Sequence, residues 1–163
     1  MKTIWFCGDK EDQLISIAEI VGEELINKEQ YVELIVHSEV QEILGKGLKD
    51  TGEDKSVFVD RLGFLGHLLH RNNIFALIVS KDANLDSRKS VKETYKNYIQ
   101  VNLGEEDNLT SLSFDKNTDP KLNTKKIIEY LVSQKIISEE CTTVYSKEEE
   151  EEIRRRLEEL GYV

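Results

Sequence analysis

Residues 4–18 read IWFCGDKEDQLISIA, and this stretch decides the fold predicted for the chain. It opens on an uninterrupted apolar run, which is typical of a short buried strand over residues 2–7. After a polar turn, apolar residues recur at helical spacing, from Leu14 and Ile17 onward to Leu25, and predict a helix over residues 12–26. A buried strand followed at once by an amphipathic helix is the opening unit of an α/β protein.

The rest of the chain repeats this alternation. Near-continuous apolar runs such as YVELIV predict strands that helices cover on both faces. The fold class expected is therefore α/β, a three-layer sandwich with a mainly parallel sheet. The pattern predicts strands at 31–36, 74–79, 98–103 and 112–114, helices at 39–44, 57–71, 87–95 and 125–134, and a loop at 46–56, with Ser38 capping the second helix.

Composition excludes several function classes. The 163 residues carry a net charge of −10, so we expect neither nucleic acid nor an acidic membrane surface as a partner. No apolar run approaches the ~18 residues of a membrane span, and the N-terminus lacks the apolar stretch of a signal peptide, so a cytoplasmic location is expected. Cys7 and Cys141 form no paired motif and are expected to be free or buried thiols.

The opening stretch resembles the start of the adenylylsulfate (APS) kinases, I-W-F-T-G-L-S-G-x-G-K-S-T-I-A, without a gap. The resemblance continues in VELIVHSEVQEILGKGL and RLGFLGHLLHRNNIFALIVS, covers residues 1 to about 103, and is weaker at 125–134. It implies a P-loop NTPase fold of the small-kinase type. It also implies a homodimer and a reaction in which ATP phosphorylates APS to 3′-phospho-APS.

The same resemblance identifies the remnant positions of a phosphate loop. Such a loop needs glycines for converging N–H groups, a lysine for the phosphates and a hydroxyl for Mg²⁺. Here Gln13, Leu14 and Ile15 stand at the second glycine, the lysine and the hydroxyl, while Gly8 and Lys10 are the other remnants. Three carboxylates close by would repel a triphosphate. We therefore predict no ATP cofactor and no metal site.

Four further positions match the family's substrate cleft. Ser38 replaces an acid of the D-G-D-x-V-R element, Gln41 replaces its arginine, and Lys55 stands for a later arginine. Arg61 is a candidate for a residual anion pocket. The adenine-stacking phenylalanine is matched by Asp50, and the basic lid has no counterpart. With these groups altered, we assign no catalytic residue.

Other residues permit two interpretations each. The chain's histidines could ligate a metal or serve packing and surface roles, and no cysteine or acidic cluster completes a tetrahedral set (His37, His67 and His70). Arg71 and Arg88 could join Arg61 in an anion pocket or be scattered surface cations. Ser80 ends a strand, where α/β folds often place function, although no base can be assigned to it.

The last segment differs in composition. We divide the chain into an APS-kinase-like α/β domain, residues 1–137, and a charged helical extension, residues 138–163. Ser146 and Glu149 form a capping box, and glutamates precede arginines, which permits pairs such as Glu150–Arg154. One apolar edge follows, formed by Ile153, Leu157 and Leu160. The extension packs on its own domain or docks on a protein partner, and the sequence leaves both open.

Three functions compete. The first is a catalytically inactive, APS-kinase-like protein with a regulatory or scaffolding role linked to sulfate assimilation. The second is an active adenylylsulfate kinase that works through an altered site. The third is a binding module for a small anion or nucleotide in the remnant cleft.

Overall fold

The chain forms a parallel β-sheet with helices on both faces. A computed structural model describes residues 2–80, 83–96, 98–104 and 106–139, together with positions 152, 155, 156 and 158. The sheet has the strand order β2-β3-β1-β4-β5, and every pairing is parallel. This confirms the predicted α/β sandwich. The strands are β1 (Thr3–Gly8), β2 (Tyr31–Val36), β3 (Ile74–Val79), β4 (Tyr98–Leu103) and β5 (Leu112–Phe114).

Two helical layers enclose the sheet. The helices are α1 (Glu11–Asn27), α2 (His37–Leu44), α3 (Gly52–Arg71), α4 (Leu85–Tyr95) and α5 (Pro120–Ser133). One apolar cluster joins the sheet to α1 and α5, and a second joins its other face to α3 and α4. The central strand, β1, shows why the strands lack an alternation of apolar and polar residues. Its side chains are buried on both faces, since Ile4 and Phe6 belong to the first cluster and Trp5 and Cys7 belong to the second.

Helix α3 begins earlier than predicted. Residues 52–56, interpreted as part of a loop, form its first turns because Thr51 caps the helix. The Thr51 hydroxyl accepts a hydrogen bond from the Asp54 N–H at 3.1 Å, and acidic side chains occupy the first turn, where they favour the helix dipole. Because the segment contains Gly47 and Gly52, its sequence favoured a loop over a helix start at Thr51.

The starts of α2 and α5 also differ from the prediction. Helix α2 begins at His37, directly after Val36, and has no side-chain cap, so the prediction that Ser38 caps it is wrong. Helix α5 begins at Pro120, five residues before the predicted start at 125. Asp119 accepts a hydrogen bond from the Lys121 N–H at 2.9 Å, and proline is favoured at a first helical position because it needs no donor there.

The connection from β4 to β5 contains no helix within the described residues. Parallel strands usually need a crossover of a dozen or more residues. Residues 104–111 suffice here because β5 pairs only with the last three residues of β4, Val101 to Leu103. The Ser111 N–H donates to the Gln100 carbonyl at 2.9 Å and anchors the returning chain.

The described positions of the extension are all exposed: residues 138 and 139 are not helical, whereas positions 152, 155, 156 and 158 are. Arg156 and Glu152 form an i,i+4 ion pair at 2.8 Å. The capping box at Ser146 and the predicted Glu150–Arg154 pair fall outside the described residues. Among the described residues, none of the helices combines the length and apolar character that crossing a membrane requires.

Candidate functional site

The turn between β1 and α1 lies at the centre of the carboxyl edge of the sheet. Only Asp9 and Lys10 separate the end of β1 from Glu11, the first residue of α1. Lys10 occupies the N-cap position, and its side chain caps nothing. A loop that cradles phosphates keeps several residues out of the helix, so that their N–H groups converge on the anion. Here the residues from Glu11 onward are already helical.

Two remnant positions of the phosphate loop face the core. Leu14 is 1% exposed and belongs to the apolar cluster under α1 and α5. Ile15 packs against the same cluster. A Cβ on Gly8 would lie 2.9 Å from the Leu103 carbonyl oxygen and 3.3 Å from Leu14 Cδ2, so Gly8 serves close packing of the turn. Gln13 has a buried amide oxygen with no hydrogen-bond partner among the described atoms.

Charge at the turn is mixed. Asp9, Glu11 and Asp12 supply three carboxylates. Lys116, from the segment between β5 and α5, forms an ion pair with Asp9 across the turn. Lys10 is exposed. The local cations therefore do not outnumber the acids, and one of them is held by a carboxylate.

A depression beside this edge lies between α2 and α3. It has a volume of about 370 Å³, and the predicted positions Gln41 and Lys55 line it together with His37 and Phe58. Lys55 forms an exposed ion pair with Asp50 at 2.7 Å. The cleft therefore carries paired rather than unbalanced charge.

The other two predicted cleft positions lie elsewhere. Ser38 is exposed and does not line the cleft. Arg61 donates a hydrogen bond to the Leu44 carbonyl and lines a separate apolar depression. The structure therefore brings together two of the four predicted cleft positions.

Ser80 has a hydrogen-bond partner that spacing could not reveal. Its hydroxyl lies 2.9 Å from His37 Nδ1, and the His37 ring packs on Phe58 at a centroid distance of 4.4 Å. Because Ser80 is 1% exposed, a substrate cannot reach its oxygen as the chain stands. The pair joins the ends of β2 and β3.

Sequence reasoning missed a buried polar network beneath the same edge. Arg88 is 7% exposed, so it is not a surface cation, and its guanidinium is engaged by protein acceptors rather than directed at an anion pocket. Its guanidinium donates to the Ala83 carbonyl at 2.9 Å, to Gln100 Oε1 at 2.6 Å and to Asp107 Oδ2 at 2.9 Å. Gln100 donates in turn to Asn102 at 2.7 Å. The polar residues of β4 were the available signal, since a covered strand rarely carries them unpaired.

The network fixes the ionisation of its members. Burial acts to raise the pKa of Asp107, but hydrogen bonds from the Leu109 N–H, Arg88 and Gln100 outweigh it and lower that pKa to about 2. Burial raises the pKa of Cys7 to about 12, so the thiol stays protonated at neutral pH. Cys7 is therefore a packing residue rather than a nucleophile.

Two of the histidines, His37 and His67, pack against aromatic rings. His67 stacks on Tyr95 at a centroid distance of 4.9 Å. Burial lowers the pKa of His70, which favours its neutral form. No group of three potential metal ligands occurs among the described residues.

The depressed pKa of Asp107 predicts a pH dependence of stability. A folded-state pKa below its ordinary 3.8 stabilises the chain above that value, and the gain is lost as pH falls toward about 2. The full shift would be worth about 2.4 kcal/mol, and screening at the side chain, 18% exposed, reduces it to about 1–2 kcal/mol. We therefore expect Asp107→Asn to lower the free energy of unfolding at pH 7 by that amount.

Urea unfolding of both proteins between pH 7 and pH 2 checks this expectation. The difference between wild type and variant should shrink below pH 4 and nearly vanish at pH 2. Glu106→Gln, a neighbouring exposed acid, is the matched control and should show no such convergence. A difference that stays constant down to pH 2 contradicts the assignment.

The fold, with the β1–α1 turn at the carboxyl edge of the sheet, first defines the class of protein. A parallel sheet with β1 at its centre, opened by a strand–turn–helix unit, is the architecture of the P-loop kinases. The APS kinase of Mycobacterium tuberculosis (a Cys556Ala mutant) superimposes with a TM-score of 0.68 at 18% identity, over 80% of this chain and 96% of that chain. A hexameric APS kinase from Thiobacillus denitrificans gives 0.74 at 16% identity, over 85% of this chain and 30% of that one.

Sequence comparison then gives the family. The model of the adenylylsulphate kinase family matches residues 1–129. The adenylyl-sulfate kinase of Rippkaea orientalis is 26% identical in an alignment of 180 positions that covers 99% of this chain and 93% of that protein. The chain belongs to the adenylylsulphate kinase family.

Proposed function

We propose that this chain is a non-catalytic member of its family, with a regulatory or scaffolding role in sulfate activation. The observation that carries the proposal is the β1–α1 turn: α1 begins at Glu11, and Leu14 occupies the core where the family has its phosphate-binding lysine. Phosphoryl transfer depends on positioning and on charge neutralisation. Neither is supplied by a helix start that carries acids and aliphatic side chains.

The neighbouring charges support the same proposal. Lys116 lies beside the turn and could substitute for the phosphate-binding lysine of the family, but it forms an ion pair with Asp9. In the cleft, Lys55 is engaged by Asp50. A nucleotide triphosphate would have to displace both pairs and would still face the remaining acids of α1.

Calorimetry with ATP, with and without Mg²⁺, tests the proposal directly. We expect no saturable heat at millimolar ATP, and no 3′-phospho-APS when APS is added. The adenylyl-sulfate kinase of Rippkaea orientalis, run under the same conditions, is the positive control. Saturable binding or robust turnover would establish the alternative, an active kinase with an altered site.

A regulatory role needs its own measurement. Purified chain should change the turnover of an active adenylylsulfate kinase or sulfate adenylyltransferase from the same cells, or co-purify with it from native lysate. Denatured and refolded albumin at equal concentration serves as the non-specific control. A protein that stays solitary and leaves both activities unchanged would contradict the scaffolding role.

The oligomeric state belongs to the same proposal. One solved relative is hexameric, and we propose that this chain is also a homo-oligomer, with a dimer as the simplest form. Sedimentation velocity at micromolar concentration measures it. The third function, an anion-binding module, finds less support, because Lys55 of the cleft and Lys116 beside the turn are each paired with an acid.

A further inference from the structure

An apolar groove follows the outer edge of the sheet between β2 and α3. Its volume is about 480 Å³, and acidic or polar groups occur only at Glu33 and Asn72. The remaining lining is aliphatic, and includes Leu34, Ile35, Leu65, Leu68, Leu69 and Ile74. An aliphatic groove of this kind is a surface on which the apolar face of a helix can dock.

The apolar surface continues along α3. A second depression of about 360 Å³ lies between α2 and α3, with Leu44, Val57 and Phe64 in its walls. Phe64 is 50% exposed and Ile43 is 78% exposed. Scattered exposed apolar residues such as Ile43 are normal, but Phe64 lines this depression, and Leu65 lines both the depression and the groove, so the two are continuous. We refer to the groove and this depression together as the α3 face.

Strand β2 forms one border of the α3 face. It is the first strand in the sheet order, so among the described residues it has a strand on one side only. Tyr31 on this strand is 73% exposed. Stable proteins cover or protect such edges, since an open edge invites pairing with other chains.

We propose that the chain's own C-terminal extension, residues 138–163, covers the α3 face as a docked amphipathic helix. Glu139, the last described residue before the extension's helix, lies close to the start of β2, which borders the α3 face. The Glu139 carbonyl accepts a hydrogen bond from Lys28 Nζ at 3.0 Å, and Glu139 shares a surface pocket with Gln30. Gln30 immediately precedes β2, whose first residue pairs with Ile74 at the end of the groove.

The length of the extension fits the α3 face. Residues 140–146 span up to about 23 Å when extended, which is enough to pass around the single edge strand. The predicted helix, residues 147–161, is about 22 Å long. The six residues of β2, which borders the groove, span about 20 Å, a length comparable with that of the helix.

The chemistry of the extension also fits. Ile153, Leu157 and Leu160 follow the spacing of one helix face. The described positions outside that face are Glu152, Arg155 and Glu158, and they are helical and exposed. Arg156, which borders the face, is exposed as well. The extension carries both signs of charge, three arginines at 154–156 and seven glutamates at 148–152, 158 and 159, and the α3 face has Glu33, Asp60 and Arg61 on its walls. An amphipathic helix in an apolar groove is a common mode of recognition.

Cross-linking in the full-length chain tests the docking. Phe64→Cys and Leu157→Cys are combined in a Cys141→Ser background and treated with a short bismaleimide. Cys7 is buried, and its raised pKa of about 12 keeps it unreactive. We expect a fast intramolecular cross-link, identified by peptide mass spectrometry. Leu122→Cys on α5, 47% exposed on the other side of the sheet, replaces Phe64→Cys in the control pair and should react much more slowly.

Each outcome decides the proposal. Equal rates for the two pairs, or no cross-link, would overturn it. A covalent dimer would show that the extension covers a second copy instead, which overturns docking within one chain. Binding of a hydrophobic dye gives an independent reading: Ile153→Gln with Leu157→Gln should raise its fluorescence several-fold, and Glu152→Gln with Glu158→Gln should not. The result does not depend on ATP binding, so it is separable from the proposed function.

Discussion

Replacing Arg88 with methionine is expected to lower the free energy of unfolding by about 3–5 kcal/mol, the usual cost of removing one partner from a buried ion pair. The guanidinium holds three acceptors: the Ala83 carbonyl, Gln100 and Asp107. Methionine fills a similar volume but satisfies none of them. Asp107 would keep its charge with one partner fewer, and polar groups under β4 would remain buried.

Urea unfolding at pH 7 and 25 °C measures the effect. Lys89→Met removes the same charge from the adjacent, exposed position and should change stability by less than about 0.5 kcal/mol. Adding Asp107→Asn to Arg88→Met should cost less than the sum of the two single changes, because both members of the pair are then neutral. An Arg88→Met protein as stable as Lys89→Met would show that the network contributes little.

Gly63→Val is expected to destabilise the chain by about 3 kcal/mol, at the upper end of the usual cost of overpacking. Gly63 lies on α3 where α4 crosses it, and a Cβ there would lie 2.5 Å from Val91 Cγ1. Helices can approach this closely only where one side chain is absent. The larger side chain therefore forces the two helices apart or distorts the core around Val91.

A compensating change makes this prediction specific. Val91→Ala should recover at least 1 kcal/mol when combined with Gly63→Val, since coupled neighbours commonly interact by 0.5–3 kcal/mol. Gly52→Val is the control in the same helix, because nothing lies within 4 Å of a Cβ at that position. Thermal unfolding followed by circular dichroism distinguishes them. Additive effects of Gly63→Val and Val91→Ala would exclude a direct clash.

The fold could be predicted because its signals are local. Buried runs such as YVELIV, and the helical spacing that begins at Leu14, report the strand and helix without knowledge of the partners. The start of α3 was missed because a single capping residue, Thr51, outweighed two nearby glycines. A helix cap is a single residue that acts through one hydrogen bond, so it changes the amino-acid composition of the segment very little.

The candidate site was less predictable. Spacing along the chain could not bring His37 to Ser80, because the contact depends on the register of β2 against β3. Arg88 was misjudged for the same reason: its partners, Gln100 and Asp107, come from a neighbouring strand and the loop that follows it. Residue types indicate what chemistry is available, whereas burial and pairing decide what is used.

The packing of Leu14 limits what a single substitution could do at the β1–α1 turn. Leu14 lies in the apolar cluster beneath α1 and α5, so Leu14→Lys would put an ammonium group among aliphatic side chains. That change alone would weaken the folded domain, and positions 11 and 13 would still hold Glu and Gln rather than glycine. A phosphate-binding turn therefore cannot be built here one residue at a time without first lowering the stability of the core.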